Sequence, residues 1–124
     1  MALKWKNSVR FDDLHAAMIL AALRVDAIYQ AFDVKECWIT SANDGQHTSK
    51  SKHYDGRALD FRTHNIGGNV VAVVARAIRD ALGPQFTVLL EDLARPNEHI
   101  HVQYNGRAYW LDTQENPHAK NKRI

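Results

Sequence analysis

Several things are scarce in this sequence. Cys37 is the only cysteine among 124 residues, which excludes an intrachain disulfide. It precedes Trp38-Ile39-Thr40 in an apolar stretch and reads as a small core residue. No activating pair surrounds it, so a cysteine nucleophile is not expected. No apolar run reaches transmembrane length, and no repeat, low-complexity tract or linker interrupts the chain. The charge excess is small, +2 at neutral pH. Part of it comes from Lys120-Asn121-Lys122-Arg123, a basic tail within about 117–124. Such a tail reads first as a frayed, solvated end, with attraction to an anionic polymer as the functional alternative. The interleaving of aromatic and basic residues used by single-strand binders is missing. Neither nucleic acid nor membrane is expected as a partner, and a monomer is expected. The start, Met1-Ala2-Leu3-Lys4-Trp5-Lys6-Asn7, has no charged segment followed by an apolar run. No secretory signal is therefore expected, and the product is expected to begin in the cytoplasm.

What is present fits one compact domain, 1–124, large enough to form a core without cross-links. Apolar residues recur at helical spacing from Phe11 to Phe32 (Phe11, Leu14, Met18, Ala21, Val25, Ile28, Phe32). Asp12 and Asp13 are expected in the first turn of that helix, at its positive end, and His15 at its surface or boundary. Cys37–Ser41 reads as a strand. It leads into the polar loop Asn43-Asp44-Gly45-Gln46-His47-Thr48-Ser49-Lys50. Strands are expected at Ala58–Arg62, Phe86–Leu90 and His99–Tyr104. A helix is expected over Val70–Leu82, closed by Gly83-Pro84. Glu91–Asn97 reads as a solvated loop, and Asn105-Gly106 as a turn into a short strand, Arg107–Leu111. The predicted class is α+β, with helices packed on a small, mostly antiparallel sheet.

Two stretches carry chemistry: Ser51-Lys52-His53-Tyr54-Asp55-Gly56-Arg57-Ala58-Leu59-Asp60, and Glu98-His99-Ile100-His101. Catalytic zinc commonly takes three protein ligands from His and Asp/Glu and leaves a position for water. His53, Asp60 and His101 can supply those ligands to Zn2+. Glu98 can act as the general base, accepting a proton and passing it to the leaving amine. Gly56 permits a tight reversal between His53 and Asp60. On the strands, Asp60 shares a face with Ala58 and Arg62, while Leu59 and Phe61 face the core. His99, His101 and Gln103 likewise oppose Ile100 and Val102. Glu98 has the wrong phase for the polar face and must sit where the strand begins. Arg62 is a second-sphere partner of Asp60, a two-pronged donor to a substrate carboxylate, or a surface ion pair. His99 is a candidate for substrate contact. His47 is a candidate donor to an oxyanion, and Ser51, Tyr54 and Lys52 are candidates for the substrate groove. His64 and His118 have no supporting pattern.

The pattern S-x-H-x-x-G-x-A-x-D followed by E-x-x-H resembles the zinc D-alanyl-D-alanine peptidases and their relatives. These include the L-alanyl-D-glutamate endopeptidases of phage lysins and the metal-site fold of hedgehog domains. The resemblance spans roughly Ile39 to Tyr104. It implies a hedgehog/DD-peptidase-like fold with a metal site on the open sheet face. It implies His53, Asp60 and His101 as zinc ligands, Glu98 as catalytic base, and peptidoglycan stem peptides as substrates. Many members carry an arginine in a segment like S-G-Y-R before the first motif; here the segment is Ser41-Ala42-Asn43-Asp44-Gly45. Its loss favours an endopeptidase over a D,D-carboxypeptidase or D,D-dipeptidase acting on free peptides. A non-catalytic zinc-binding module is the alternative from another class. A lysin-like enzyme, phage- or prophage-encoded, is expected to reach the wall through a holin or cell lysis.

Overall fold

The computed structural model describes residues 2–43 and 56–106. The elements run β1 (Leu3–Trp5), α1 (Ala16–Ala31), β2 (Cys37–Ser41), β3 (Ala58–Arg62), α2 (Val71–Leu82), β4 (Phe86–Glu91) and β5 (His99–Tyr104). The strands form one five-stranded sheet in the order β1-β2-β3-β5-β4. β1 pairs parallel to β2, and the other pairings are antiparallel, so the sheet is mixed. The expected α+β class stands at this level. The sequence reading did not anticipate β1: three residues with a single alternation carry almost no periodic signal. The expected strand Arg107–Leu111 lies outside the described residues.

α1 differs from expectation at its start. It begins at Ala16, not Phe11, and no acidic residue lies in its first turn. Asp13 has φ 56°, a left-handed conformation that no helix interior contains. The cap is His15, whose Nδ1 accepts the Ala17 N–H at 2.9 Å. His15 is buried against Tyr104, not at the surface. The helix closes as a Schellman turn: Asp33 N–H donates to Gln30 O and Val34 N–H to Tyr29 O, with Asp33 at φ 62°. α1 buries Met18, Ala21, Ala22, Val25, Asp26 and Tyr29, and α2 buries Val71, Val74, Ala75 and Ile78, each at helical spacing.

Both helices contribute to one core together with Cys37, Ile39, Leu59, Phe61, Ile100 and Val102 from the sheet. Fully burying side chains such as Phe61 and Leu59 contributes about 1.5–3 kcal/mol each. The Tyr29 hydroxyl crosses the core to donate to Arg62 O at 2.7 Å, tying α1 to the end of β3. Burial pushes the Tyr29 phenol and the Cys37 thiol well above their ordinary ranges, so both stay protonated.

Gly56 is fixed by close approach. It has φ +71°, and a Cβ there would lie 1.9 Å from Asp13 O. Its carbonyl accepts the His15 N–H at 2.8 Å, so the turn before β3 is sewn to the start of α1. The glycine of the first motif therefore serves the junction of two elements.

Candidate metal centre on the open sheet face

β3 and β5 pair in a register that sets Asp60 opposite His101 and Arg62 opposite His99. β4 adds Leu89 opposite His101 and Glu91 opposite His99. Alternation places these side chains on the face away from the helices, because their neighbours Leu59, Phe61, Ile100 and Val102 are fully buried. At β2 the register shifts between Ile39 and Ser41, and the Thr40 hydroxyl donates to Asp60 O at 3.4 Å. An irregularity of this type re-aims a strand locally. Here it falls directly beside Asp60.

Two residues from separate motifs thus meet. His101 Nδ1 lies 2.9 Å from Asp60 Oδ1, and each residue is only 9% exposed. The other ring nitrogen of His101, Nε2, donates to Gln103 Oε1 at 2.8 Å. Gln103 is tied to Asn105 at 3.0 Å, and Asn105 to the Thr87 hydroxyl at 2.9 Å. This chain of amides fixes the ring plane and leaves Nδ1 aimed at Asp60. His99 is held differently. Its Nδ1 donates to Asn97 O at 2.7 Å and its Nε2 to Glu91 Oε1 at 3.0 Å, with Asp60 Oδ1 3.8 Å from Nε2.

Burial disfavours charge on both rings, yet the bonds to Asn97 and Glu91 and the charge of Asp60 outweigh it at His99. At His101 the bonds to Asp60 and Gln103 do the same. Both imidazoles titrate above their ordinary value, as expected where acceptors face the ring nitrogens.

Glu98 sits immediately before β5, as its phase requires. Its Oε1 accepts from the Thr63 hydroxyl and its Oε2 from the Ala94 N–H at 2.9 Å. Thr63 continues β3 past Arg62 and is buried. Those two bonds lower the Glu98 pKa, with the Thr63 bond the larger cause. The carboxylate is ionised and closes the turn over 94–98. Glu91, expected in a solvated loop, is instead the last residue of β4 and the partner of His99. The contact depends on which strand lies beside β5. Arg57, inside the first motif, is buried and donates to Gly106 O.

His47, Ser51, Lys52, His53 and Tyr54 lie outside the described residues. Among the described residues, no group of three or more His, Cys, Asp or Glu side chains is arranged to hold a metal ion. The Asp60–His101 pair nonetheless suits two ligands of one ion. Tetrahedral zinc with bonds of about 2.0–2.1 Å separates neighbouring ligand atoms by about 3.3 Å. The observed 2.9 Å needs a spread of only a few tenths of an ångström. The Gln103 bond to Nε2 is the kind of support that orients a ligating histidine. No protein-family model, curated protein or solved structure matches this chain.

Proposed function

We propose that the chain is a zinc-dependent peptidase acting on peptidoglycan stem peptides, with the fold and open-face centre of the hedgehog/DD-peptidase group and a lysin-like endopeptidase activity. The observation that carries the reading is the Asp60 Oδ1–His101 Nδ1 approach of 2.9 Å, made by residues from the two motifs that the resemblance pairs. Asp60 and His101 would hold the ion with His53 as the third ligand. Zinc bound there would supply a water acidic enough to attack a peptide carbonyl near neutral pH and would polarise that carbonyl.

The remaining work belongs to the chain. Gln103 keeps the His101 ring in its ligating orientation. Thr63 and Ala94 keep Glu98 ionised, which is the form that accepts a proton. Each Glu98 oxygen has a second lone pair with which to accept from the attacking water. His99, anchored by Asn97 and Glu91, presents a polar ring beside Asp60 for contact with substrate. The product would work on the wall after release from the cytoplasm by a holin or lysis, alone as a monomer.

A zinc-binding module without hydrolysis is the second reading. It is favoured by the double engagement of Glu98, whose two oxygens serve a turn. The test is to load the protein with zinc, digest purified peptidoglycan and identify fragments by mass spectrometry, beside His53→Ala and Glu98→Gln. New stem-peptide ends in the unmodified protein, absent from both variants while Glu98→Gln retains zinc, are expected. Stoichiometric zinc with no new ends would replace the peptidase by the binding module.

A further inference from the structure

We infer that Arg62, lying on the Trp38 indole, is a carboxylate-recognition subsite that makes the enzyme selective for acidic stem peptides. This rests on the peptidase reading of the Asp60–His101 centre. The guanidinium carbon of Arg62 sits 4.8 Å from the centroid of the Trp38 ring. Trp38 is itself fixed, its indole N–H donating to Glu36 Oε1 at 2.9 Å. The backbone beneath Arg62 is pinned by the Tyr29 hydroxyl. Arg62 shares its face with Asp60, two residues back on β3, roughly 7 Å at the strand rise. It stands opposite His99 across β3–β5.

The charge is thus placed and held, yet its donors are unused. Among the described residues, no hydrogen bond or ion pair engages the Arg62 guanidinium. Asp60, the nearest carboxylate in sequence, bonds His101 instead. Stacking leaves the in-plane N–H groups of a guanidinium free for a planar, two-pronged acceptor. A half-buried arginine with its guanidinium carbon over an aromatic ring, beside a candidate hydrolytic centre, fits a substrate carboxylate near the scissile bond. A stem peptide offers two such groups: the free α-carboxylate of its γ-linked D-glutamate and its C-terminal carboxylate.

Three probes separate them: L-Ala-γ-D-Glu-L-Lys-D-Ala-D-Ala, the same peptide amidated at the D-glutamate α-carboxylate, and the same peptide amidated at its C-terminus. Binding is measured by calorimetry on zinc-loaded Glu98→Gln protein, and fragment release by mass spectrometry on the zinc-loaded unmodified protein. One amidation is expected to weaken binding about 10- to 100-fold, as loss of a charge-assisted bond does. The amide that does so names the carboxylate. Adding Arg62→Gln should weaken the parent peptide equally and leave that amide unchanged. Arg62→Lys should recover part of the loss, and Trp38→Leu should reproduce part of it. Equal binding of all three peptides, with fragments released, would overturn the subsite and leave the peptidase standing. Carboxylate-dependent binding that Arg62→Gln abolishes, with no fragments, would keep the subsite and remove the peptidase. An equal loss on every probe in Arg62→Gln would make Arg62 structural and overturn the proposal.

Discussion

The two faces of the sheet are built from the same strands by opposite physics. On the helix side, Leu59, Phe61, Ile100 and Val102 are fully buried and interchangeable in kind, held by apolar contact without direction. On the open side, Asp60, His99 and His101 alternate with them. There each ring nitrogen of His99 and His101 has a named partner at a set distance. Apolar packing makes the sheet stable. The polar face is costly to bury and acceptable only because its bonds are satisfied. Stability and chemistry are therefore separable, to an extent that four experiments can measure.

The core face should give the largest effect. Phe61→Ala removes a fully buried ring and should cost about 3–5 kcal/mol in chemical denaturation. A loss below 1 kcal/mol would mean that the helices do not depend on this face. The open face should respond to metal rather than to packing. Zinc at 100 times its dissociation constant should stabilise the protein by about 2.7 kcal/mol through mass action. That gain should vanish in Asp60→Ala and His101→Ala and persist in His99→Ala. Loss of the gain in His99→Ala would move the ligand role to His99.

Tyr29→Phe tests a bond that joins the helix side to the backbone of the open face. It should cost about 1–1.5 kcal/mol, because Arg62 O loses its buried donor. The smallest effect is pH-dependent. Glu98 has a folded pKa below its ordinary value of 4.5, so its bonds add stability above that pH and lose it as pH falls through the lowered value. Thr63→Val should therefore be less stable than the parent near pH 7 by about 1 kcal/mol or less. The gap should narrow in acid. A gap that is constant with pH would place the Thr63 contribution in packing.

Periodicity misled at the start of α1, which begins at Ala16 and not at Phe11. α1 is rich in alanine and apolar around much of its surface, so its spacing located the core stripe but not its start. The true start depends on His15 capping Ala17, and His15 is itself held by Gly56 O, which accepts its N–H from a segment far away in sequence.

Within the candidate centre, alternation alone was enough to put Asp60 with Arg62, and His99 with His101 and Gln103, each set on one strand face. Side-chain direction has period two and needs no partner strand. The segments of β2, β3, β4, β5 and α2 were legible for the same local reason, whereas β1 and the start of α1 were not. Which residues meet across strands was not. The opposition of Asp60 to His101, the capture of His99 by Glu91, the seating of Arg62 on Trp38 and the engagement of Glu98 by Thr63 all follow from register and strand order. Those are set by how the two helices and five strands pack together. The sequence by itself thus determined which residues are available for chemistry and which way each points. Only the tertiary structure decided their partners, because a hydrogen bond reaches about 3 Å and that proximity is created by packing.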